Sequence, residues 1–85
     1  MKLRLLYFAS LRERVGTAEE TLDVPDGVTT VAQLRNWLAE RSPLWAEAFA
    51  EQRSVRAAVD QTMAADHHTV HDGAEVAFFP PVTGG

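Results

Sequence analysis

The residues best suited to chemistry in this sequence are the two glycines at its end. They close the segment FPPVTGG at positions 79–85. A carboxylate on Gly85 could attack the α-phosphate of ATP to give an acyl adenylate, which then accepts a nucleophile such as sulfide or an amine. Gly84 and Gly85 have no Cβ atoms, so they fit a narrow channel and adopt backbone angles that other residues avoid. Pro80 and Pro81 would stiffen the base of this tail and lower the entropic cost of ordering it.

A second candidate site is the group of three histidines in HHTVH at positions 67–71. Imidazole is a common ligand of zinc and copper, and Asp66 and Asp72 flank the group. The segment is polar and irregular, however, and it has no fourth ligand at a characteristic spacing. We therefore interpret these side chains as solvated loop histidines, with a metal site as the alternative. The histidines are His67, His68 and His71.

Other catalytic patterns are weak or missing in the sequence. Glu19 and Glu20 begin a predicted strand, where successive side chains point to opposite faces and cannot share a proton. Glu47 and Glu51 are one helical turn apart and indicate a solvated helix face. There is no cysteine, which excludes disulfides, thiolate metal sites and a cysteine nucleophile. The glycines do not form a phosphate-binding loop. The sequence therefore predicts a scaffold without an active site of its own.

Length and charge narrow the function classes further. The 85 residues predict one domain over positions 1–85, with a flexible tail over 80–85. Twelve acidic and eight basic residues give a net charge of −4, so no basic stripe is available to bind nucleic acid. The apolar stretch from Leu5 to Leu11 is short for a signal peptide, and no segment approaches the ~20 apolar residues of a membrane span. We expect a cytoplasmic protein that binds neither nucleic acid nor a membrane.

The first half of the chain predicts two strands and two helices. Apolar side chains on both faces indicate a strand over positions 2–9, and alternation indicates another over 19–25. With Gly16 as a turn between them, a short loop and an antiparallel hairpin are expected. A helix begins after Thr29 or Thr30 with an apolar stripe, and a shorter helix over 44–51 follows Ser42-Pro43. The stripe consists of Val31, Leu34 and Leu38, widened by Trp37.

The second half predicts two further strands. Alternation indicates one strand over positions 54–60, and 61–71 is predicted to be irregular. A turn at Asp72-Gly73 precedes the final strand over 75–79, which the prolines end. This order describes an α+β fold, a mixed sheet with a helix packed across one face. If the first and last strands are central neighbours, the tail projects from the middle of the sheet.

Several stretches together resemble a known family across nearly the whole chain. The last fourteen residues are the most specific of them, and the stretches are FASLRERVG at 8–16, TVAQLRNWL at 30–38, Pro43-x-Trp45, AVDQT at 58–62 and DGAEVAFFPPVTGG at 72–85. In these motifs the sequence resembles the small, sulfur-carrying subunits of molybdopterin synthase, a family of ubiquitin-like proteins with the β-grasp fold.

The resemblance implies a function for the tail. An E1-like activating enzyme would adenylate Gly85 with ATP, and a persulfide donor would convert the adenylate to a thiocarboxylate. ATP is then consumed by the activating enzyme, and no cofactor is bound by this chain. The tail would insert into the large subunit of a heterotetrameric synthase and deliver sulfur to cyclic pyranopterin monophosphate, building the molybdopterin dithiolene. The inserting residues would be Pro80, Pro81, Val82, Thr83 and Gly84.

The resemblance also implies a contact surface for the large subunit, which would hold the active-site pocket. If Val76 and Phe78 face the core, alternation sends Ala77 and Phe79 to the opposite face of the sheet. Phe8 and Met63 are expected to join Phe79 there as an exposed apolar patch.

Two other functions remain open at this point. The sulfur carriers of thiamin thiazole synthesis share the same tail chemistry, although they are typically shorter and lack the insertion at positions 43–51. A ubiquitin-like modifier would instead form an amide between its C-terminus and a lysine. The acceptor of the activated C-terminus distinguishes these functions.

Overall fold

A five-stranded mixed sheet forms the centre of the computed structural model, which describes residues 1–51 and 55–80. The strand order is β2-β1-β5-β3-β4, and only the central pair β1 and β5 is parallel. The elements in chain order are β1 (Lys2–Tyr7), α1 (Ala9–Val15), β2 (Glu19–Asp23), α2 (Val31–Ala39), α3 (Pro43–Glu51), β3 (Arg56–Val59), β4 (Thr62–Ala64) and β5 (Glu75–Phe79). The first and last strands are therefore central neighbours, as predicted.

The helices cover one face of this sheet, and the core lies between the two layers. Strand alternation directs every second side chain toward the helices, and these side chains are almost completely buried. They join the buried helix residues in one cluster. The inward-facing strand residues are Leu3, Leu5 and Tyr7 on β1, Val76 and Phe78 on β5, and Ala57 and Val59 on β3.

Helix α2 begins directly after its N-cap, Thr30, because a complete capping box fixes its first turn. The Thr30 hydroxyl accepts a hydrogen bond from the Gln33 backbone N–H at 3.2 Å, and Gln33 Oε1 accepts one from the Thr30 N–H at 3.2 Å. These two bonds satisfy backbone donors that the helix itself leaves without partners. The predicted stripe of Val31, Leu34 and Leu38 is fully buried. This confirms the predicted helix and its orientation.

Replacing Leu34 by alanine should lower the free energy of unfolding by about 2–5 kcal/mol, because a fully buried leucine leaves a cavity when it is truncated. Asn36→Ala on the exposed side of α2 is the matched control and should change that free energy by no more than about 0.5 kcal/mol. Urea denaturation measures both. A Leu34→Ala loss as small as the control's would contradict the packing of α2 against the sheet.

Helix α3 begins as predicted from Ser42-Pro43. The Ser42 hydroxyl accepts a hydrogen bond from the Trp45 backbone N–H at 3.4 Å, and proline suits the first helical position. Trp45 and Phe49 then pack with Tyr7 and Phe78, with ring centroids 5.3 Å apart for Tyr7–Trp45 and 5.5 Å for Phe49–Phe78. None of the helices in the described part of the chain is long and apolar enough to span a membrane.

A network of polar side chains connects Arg41, which follows α2, to Glu20 on the edge strand β2. The Tyr7 hydroxyl donates a hydrogen bond to Glu20 Oε2 at 2.8 Å, and Arg41 Nη1 donates to the same oxygen at 2.7 Å. The Arg41 guanidinium also lies 4.3 Å from the centre of the Trp45 ring. Glu19 points the other way and pairs with Arg4, so the two adjacent glutamates do face opposite sides, as predicted.

Alkaline pH should destabilise the fold through Tyr7. Burial, together with the hydrogen bond to Glu20, raises the pKa of Tyr7 far above its usual value. In the unfolded chain tyrosine ionises near pH 10, so above that pH the unfolded state loses a proton that the folded state keeps. We therefore expect this one group to lower the free energy of unfolding by up to about 1.4 kcal/mol per pH unit above pH ~10.

Tyr7→Phe is the control for this pH dependence, because it removes the titrating group. Losing the hydrogen bond to Glu20 should cost about 1 kcal/mol at neutral pH, but the slope above pH 10 should become shallower. Tyr7 is the only tyrosine in the sequence, so tyrosinate absorbance reports on it directly. Ionisation of Tyr7 near its usual pKa in the folded protein would contradict this prediction.

The connection between β1 and β2 differs from the prediction. A strand to position 9, a break and a short hairpin loop were expected, but β1 ends at Tyr7 and, after Phe8, the seven residues Ala9–Val15 form α1. Leu11 and Val15 bury one side of this helix. Gly16 ends it in a left-handed conformation, φ 80°, and donates its N–H to the Arg12 carbonyl at 2.9 Å. The two strands are antiparallel as predicted, but a helix joins them.

The prediction that positions 61–71 are irregular is also wrong in part. Residues Thr62–Ala64 form β4, which pairs with β3 across a two-residue turn. Asp60 and Gln61 occupy that turn with φ values of 50° and 70°. Both angles are positive, as in the turns that match the twist of a hairpin. Asp60 Oδ1 also accepts a hydrogen bond from the Glu75 N–H at 3.0 Å, which links the turn to β5.

Candidate functional site

The face of the sheet opposite the helices has an apolar centre. Strand alternation sends every second side chain to this face, which we call the outer face. The pairing register aligns one of these residues from each of four neighbouring strands in a single row. The row consists of Leu6 on β1, Ala77 on β5, Ala58 on β3 and Met63 on β4. Met63, at its end, is 57% exposed.

Two phenylalanines extend this row toward the end of β5. Phe79 lies two residues beyond Ala77 and so shares its face, half-buried. Phe8 lies beside it, since the Phe8 N–H donates to the Phe78 carbonyl at 3.1 Å, and its side chain is 46% exposed. The structure thus places the three predicted contact residues on one face. We call the combined surface the outer patch: Leu6, Phe8, Ala58, Met63, Ala77 and Phe79.

Of the two alanines in this surface, sequence reasoning placed Ala77 on the outer face together with Phe79 but did not include Ala58. The alternation of Ala58 with buried neighbours was visible, but a small side chain carries little signal on its own. Only the register, in which Ala58 lies opposite both Ala77 and Met63, shows that the two alanines connect Met63 to the centre of the sheet. Contiguous exposed apolar surfaces of this kind mark partner-binding sites.

The residue that follows Phe8 in the chain has a strained backbone conformation. Ala9 has φ 53°, in the left-handed region that costs a residue with a side chain about 1–2 kcal/mol. This conformation ends β1 abruptly, so that Phe8 remains extended while α1 begins at the next residue. Strain of this type concentrates at functional sites. Here it accompanies the outward placement of Phe8.

Charged residues differ between the two ends of the outer patch. At the end far from the tail, Arg4 is paired with Glu19, and the register places Glu75 next to Arg4. At the tail end, Arg56 lies directly opposite Phe79 in the β3–β5 pair and is exposed. Among residues 1–50 and 55–80, no carboxylate lies within ion-pair distance of Arg56.

The predicted tail is connected directly to this surface. Pro80 follows Phe79 and is half-buried. The other tail residues singled out from the sequence lie outside the described residues: Pro81, Val82, Thr83, Gly84 and Gly85. The chain leaves the described sheet from its central strand, which pairs with β1 on one side and β3 on the other. The tail therefore starts from a base held on both sides.

The histidine segment contacts the start of α2 and the turn between β3 and β4. His67, His68 and His71 are all exposed, and the His68 carbonyl accepts a hydrogen bond from the Val31 N–H at 3.0 Å. His71 Nε2 lies 3.9 Å from Asp60 Oδ2. In the part of the chain that the structure describes, no group of three or more histidine, aspartate or glutamate side chains is placed to share a metal ion.

The chain was compared with known families and proteins, and it matches one family over nearly its whole length. Residues 5–85 match the ThiS family. A curated relative from Escherichia coli, the molybdopterin synthase sulfur carrier subunit, is 46% identical over 83 residues, which are 98% of this chain and 99% of the relative.

Solved structures share the fold. SAMP1 from Haloferax volcanii, a small archaeal modifier protein, has a TM-score of 0.78 with 26% identity over 100% of both chains. A chain from the complex of subunits 1 and 2 of the molybdopterin-converting factor of Helicobacter pylori has a TM-score of 0.65 with 18% identity, again over 100% of both. The mixed sheet with its helices on one face is the ubiquitin-like β-grasp that the sequence predicts.

Proposed function

The chain belongs to the ThiS family, and on that premise we propose that it is the sulfur carrier subunit of a molybdopterin synthase. Gly85 would be converted to a thiocarboxylate and would donate its sulfur to cyclic pyranopterin monophosphate, forming the dithiolene of molybdopterin. The observation that carries this proposal is the 46% identity, over nearly the full length of both chains, to a protein named as that subunit.

Activation of Gly85 would proceed through an acyl adenylate and an acyl disulfide. A Gly85 carboxylate oxygen attacks the α-phosphorus of ATP on an E1-like enzyme, and pyrophosphate leaves. The terminal sulfur of a persulfide then attacks the acyl carbon and displaces AMP, giving an acyl disulfide. A thiol reduces that disulfide and releases the thiocarboxylate. In the synthase, the thiocarboxylate sulfur bonds to a carbon of the precursor, and that carbon loses an oxygen substituent in exchange. Water then cleaves the bond between the sulfur and the acyl carbon, which returns the carboxylate to Gly85 and leaves the sulfur on the precursor.

The partner in this proposal is the large subunit of the synthase, assembled with this chain as a heterotetramer. The outer patch supports such a partner, because it is apolar, exposed and continuous with the base of the tail. Six residues beyond Phe79 can extend about 20 Å. A large subunit bound on the outer patch could therefore hold its reaction centre at that distance and still receive Gly85.

A reconstitution tests the proposal. The purified chain is incubated with an E1-like activating enzyme, ATP and a sulfide source, and intact mass shows whether one oxygen is replaced by sulfur. The product is then mixed with the large subunit and cyclic pyranopterin monophosphate. We expect the thiocarboxylate, and not the carboxylate, to yield molybdopterin. Efficient thiocarboxylate formation without any pterin conversion would contradict the proposal and favour another acceptor.

A ubiquitin-like modifier is the second candidate function. The likeness to SAMP1 over the whole chain favours it, since that protein is named as a modifier. A modifier would form an amide with a lysine of another protein. Expression of an epitope-tagged chain in cells, followed by separation under denaturing and reducing conditions, distinguishes the two. Gly85-dependent conjugates of higher mass would support the modifier, and their absence alongside pterin conversion would support the sulfur carrier.

A further inference from the structure

Among the side chains that the structure describes, Arg56 and Arg12 are the arginines without an acidic partner. Within the described ranges, four arginines have a carboxylate oxygen within 3.8 Å of a guanidinium nitrogen, and Arg56 has none. Of the described arginines, Arg56 is also the one nearest the tail on the outer face, because the register sets it directly opposite Phe79. The paired arginines are Arg4, Arg14, Arg35 and Arg41.

The position of Arg56 means that a partner on the outer patch must cover it as well. Arg56 precedes Ala58 by two residues on the same face of β3, and Phe79 flanks it on β5. A surface that excludes water from Phe79 and Ala58 therefore removes water from the Arg56 guanidinium. Burying a charge without a partner is costly, whereas a charge pair that is well hydrogen-bonded can offset that cost. The covering surface consequently needs an acceptor at this point.

A carboxylate is the acceptor that fits an arginine best. The planar guanidinium can donate two parallel hydrogen bonds to the two oxygens of one carboxylate, and this fixes both distance and orientation. Arginine is also one of the residues that most often dominate binding at the centre of an interface. The need for a carboxylate applies only to the surface that covers Arg56. Over longer distances the chain attracts basic surfaces, because it carries a net charge of −4.

We propose that Arg56 is a specificity-determining residue of the outer patch, which pairs with an aspartate or glutamate of the large subunit beside the opening that receives the tail. This inference rests on the proposed function. The pair sets the register of docking, because the opposite end of the outer face presents Glu75, the Arg4–Glu19 pair and Lys2 opposite Asp23 instead, which are three carboxylates and two cations. A large subunit bound in the reverse direction would place its carboxylate against acidic residues, which costs affinity.

The test measures the affinity of the large subunit from the same organism for four forms of this chain by calorimetry. Arg56→Glu should raise Kd at least about thirtyfold, and Arg56→Gln at least about tenfold, since each leaves the partner's carboxylate buried without a cation. Lys2→Glu is the matched control. It makes the same charge change on the outer face, but about 20 Å away along the strands, and should raise Kd less than about threefold. Thermal melts confirm that every form is folded.

A charge exchange identifies the partner residue. Each aspartate or glutamate of the large subunit near its tail-binding opening is replaced by lysine, and one of these replacements should restore binding to Arg56→Glu while weakening binding to the wild type. If Arg56→Glu and Lys2→Glu weaken binding equally, or if no replacement restores it, the inference about Arg56 is wrong and the sulfur-carrier proposal stands. If the wild-type chain does not bind the large subunit at all, the proposed function itself fails.

Discussion

Deleting Gly85 should abolish thiocarboxylate formation while leaving the fold intact. The shortened chain would present the Gly84 carboxylate about 3.5 Å short of the position where the α-phosphate is attacked. Reacting groups misplaced by only 1 Å can lose about a hundredfold in rate, so a gap of this size removes the reaction. The tail cannot slide forward to compensate. Its base, β5, is hydrogen-bonded to β1 on one side and to β3 on the other.

Adding one residue after Gly85 should be equally damaging, because the carboxylate then lies beyond the reacting position. Thr83→Ser is the matched control, since it changes a side chain in the same tail without changing its length, and it should keep more than about half of the wild-type yield. Intact mass after incubation with the activating enzyme, ATP and sulfide measures all the variants. A truncated or extended chain that gains sulfur at the wild-type yield would overturn the proposal that Gly85 carries the reacting group.

Gly84→Val tests a different property of the tail. The reacting carboxylate keeps its position, but the valine side chain adds bulk and restricts the backbone to negative φ values. We expect a loss of at least about tenfold in the yield of thiocarboxylate, with an unchanged thermal melt, because positions 81–85 follow the last strand of the sheet. Wild-type activation of Gly84→Val would show that the channel of the activating enzyme does not require a residue without a side chain.

The sequence predicted the sheet well where each strand carries its own alternation. In β1 and β5 the buried and outward residues follow one another strictly, so the burial of Val76 and Phe78 and the outward direction of Phe79 could be read directly from the sequence. Helix α2 was equally clear from its apolar stripe of Val31, Leu34 and Leu38. The sequence left its N-cap open between Thr29 and Thr30, and the structure shows that Thr30 caps it in a capping box with Gln33.

Helix α1 escaped sequence reasoning because its stability depends on tertiary packing. It has seven residues, and isolated helices shorter than about 12 residues are marginal in water. Only Leu11 and Val15 mark its buried side, which is too little for a periodic signal. Its first residue, Ala9, even adopts a left-handed conformation that sequence rules assign to glycine. Packing against α3 and β5 stabilises this helix.

Strand β4 was missed for a related reason. The strongest hairpin signal is asparagine or aspartate followed by glycine, and here Gln61 takes the second position with φ 70°. The Asp60 side chain supports this turn by accepting the Glu75 N–H. Without β4 the outward direction of Met63 cannot be derived, and without the β3–β5 register the position of Arg56 opposite Phe79 is invisible.

Phe8→Asp should weaken binding of the large subunit at least about a hundredfold and should not lower the thermal stability of the free chain. Truncating an aromatic residue at the centre of an interface commonly costs more than 2 kcal/mol, and a buried unpaired carboxylate adds to that loss. The effect of Phe8→Asp on the stability of the free chain should be the opposite. Phe8 is the N-cap of α1 and makes no side-chain cap hydrogen bond, whereas aspartate is among the best N-cap residues and favours the helix dipole.

Leu44→Asp is the matched control for this substitution. Leu44 is 47% exposed, against 46% for Phe8, and it lies in the first turn of α3, away from the outer patch. Its replacement should therefore change the affinity for the large subunit less than about threefold, with little effect on the melt. Calorimetry and thermal melts separate the two roles of Phe8. If the melting temperature of Phe8→Asp falls in step with its affinity for the large subunit, the Phe8 side chain contributes to folding. If both aspartate variants bind like the wild type, the large subunit does not use the outer patch.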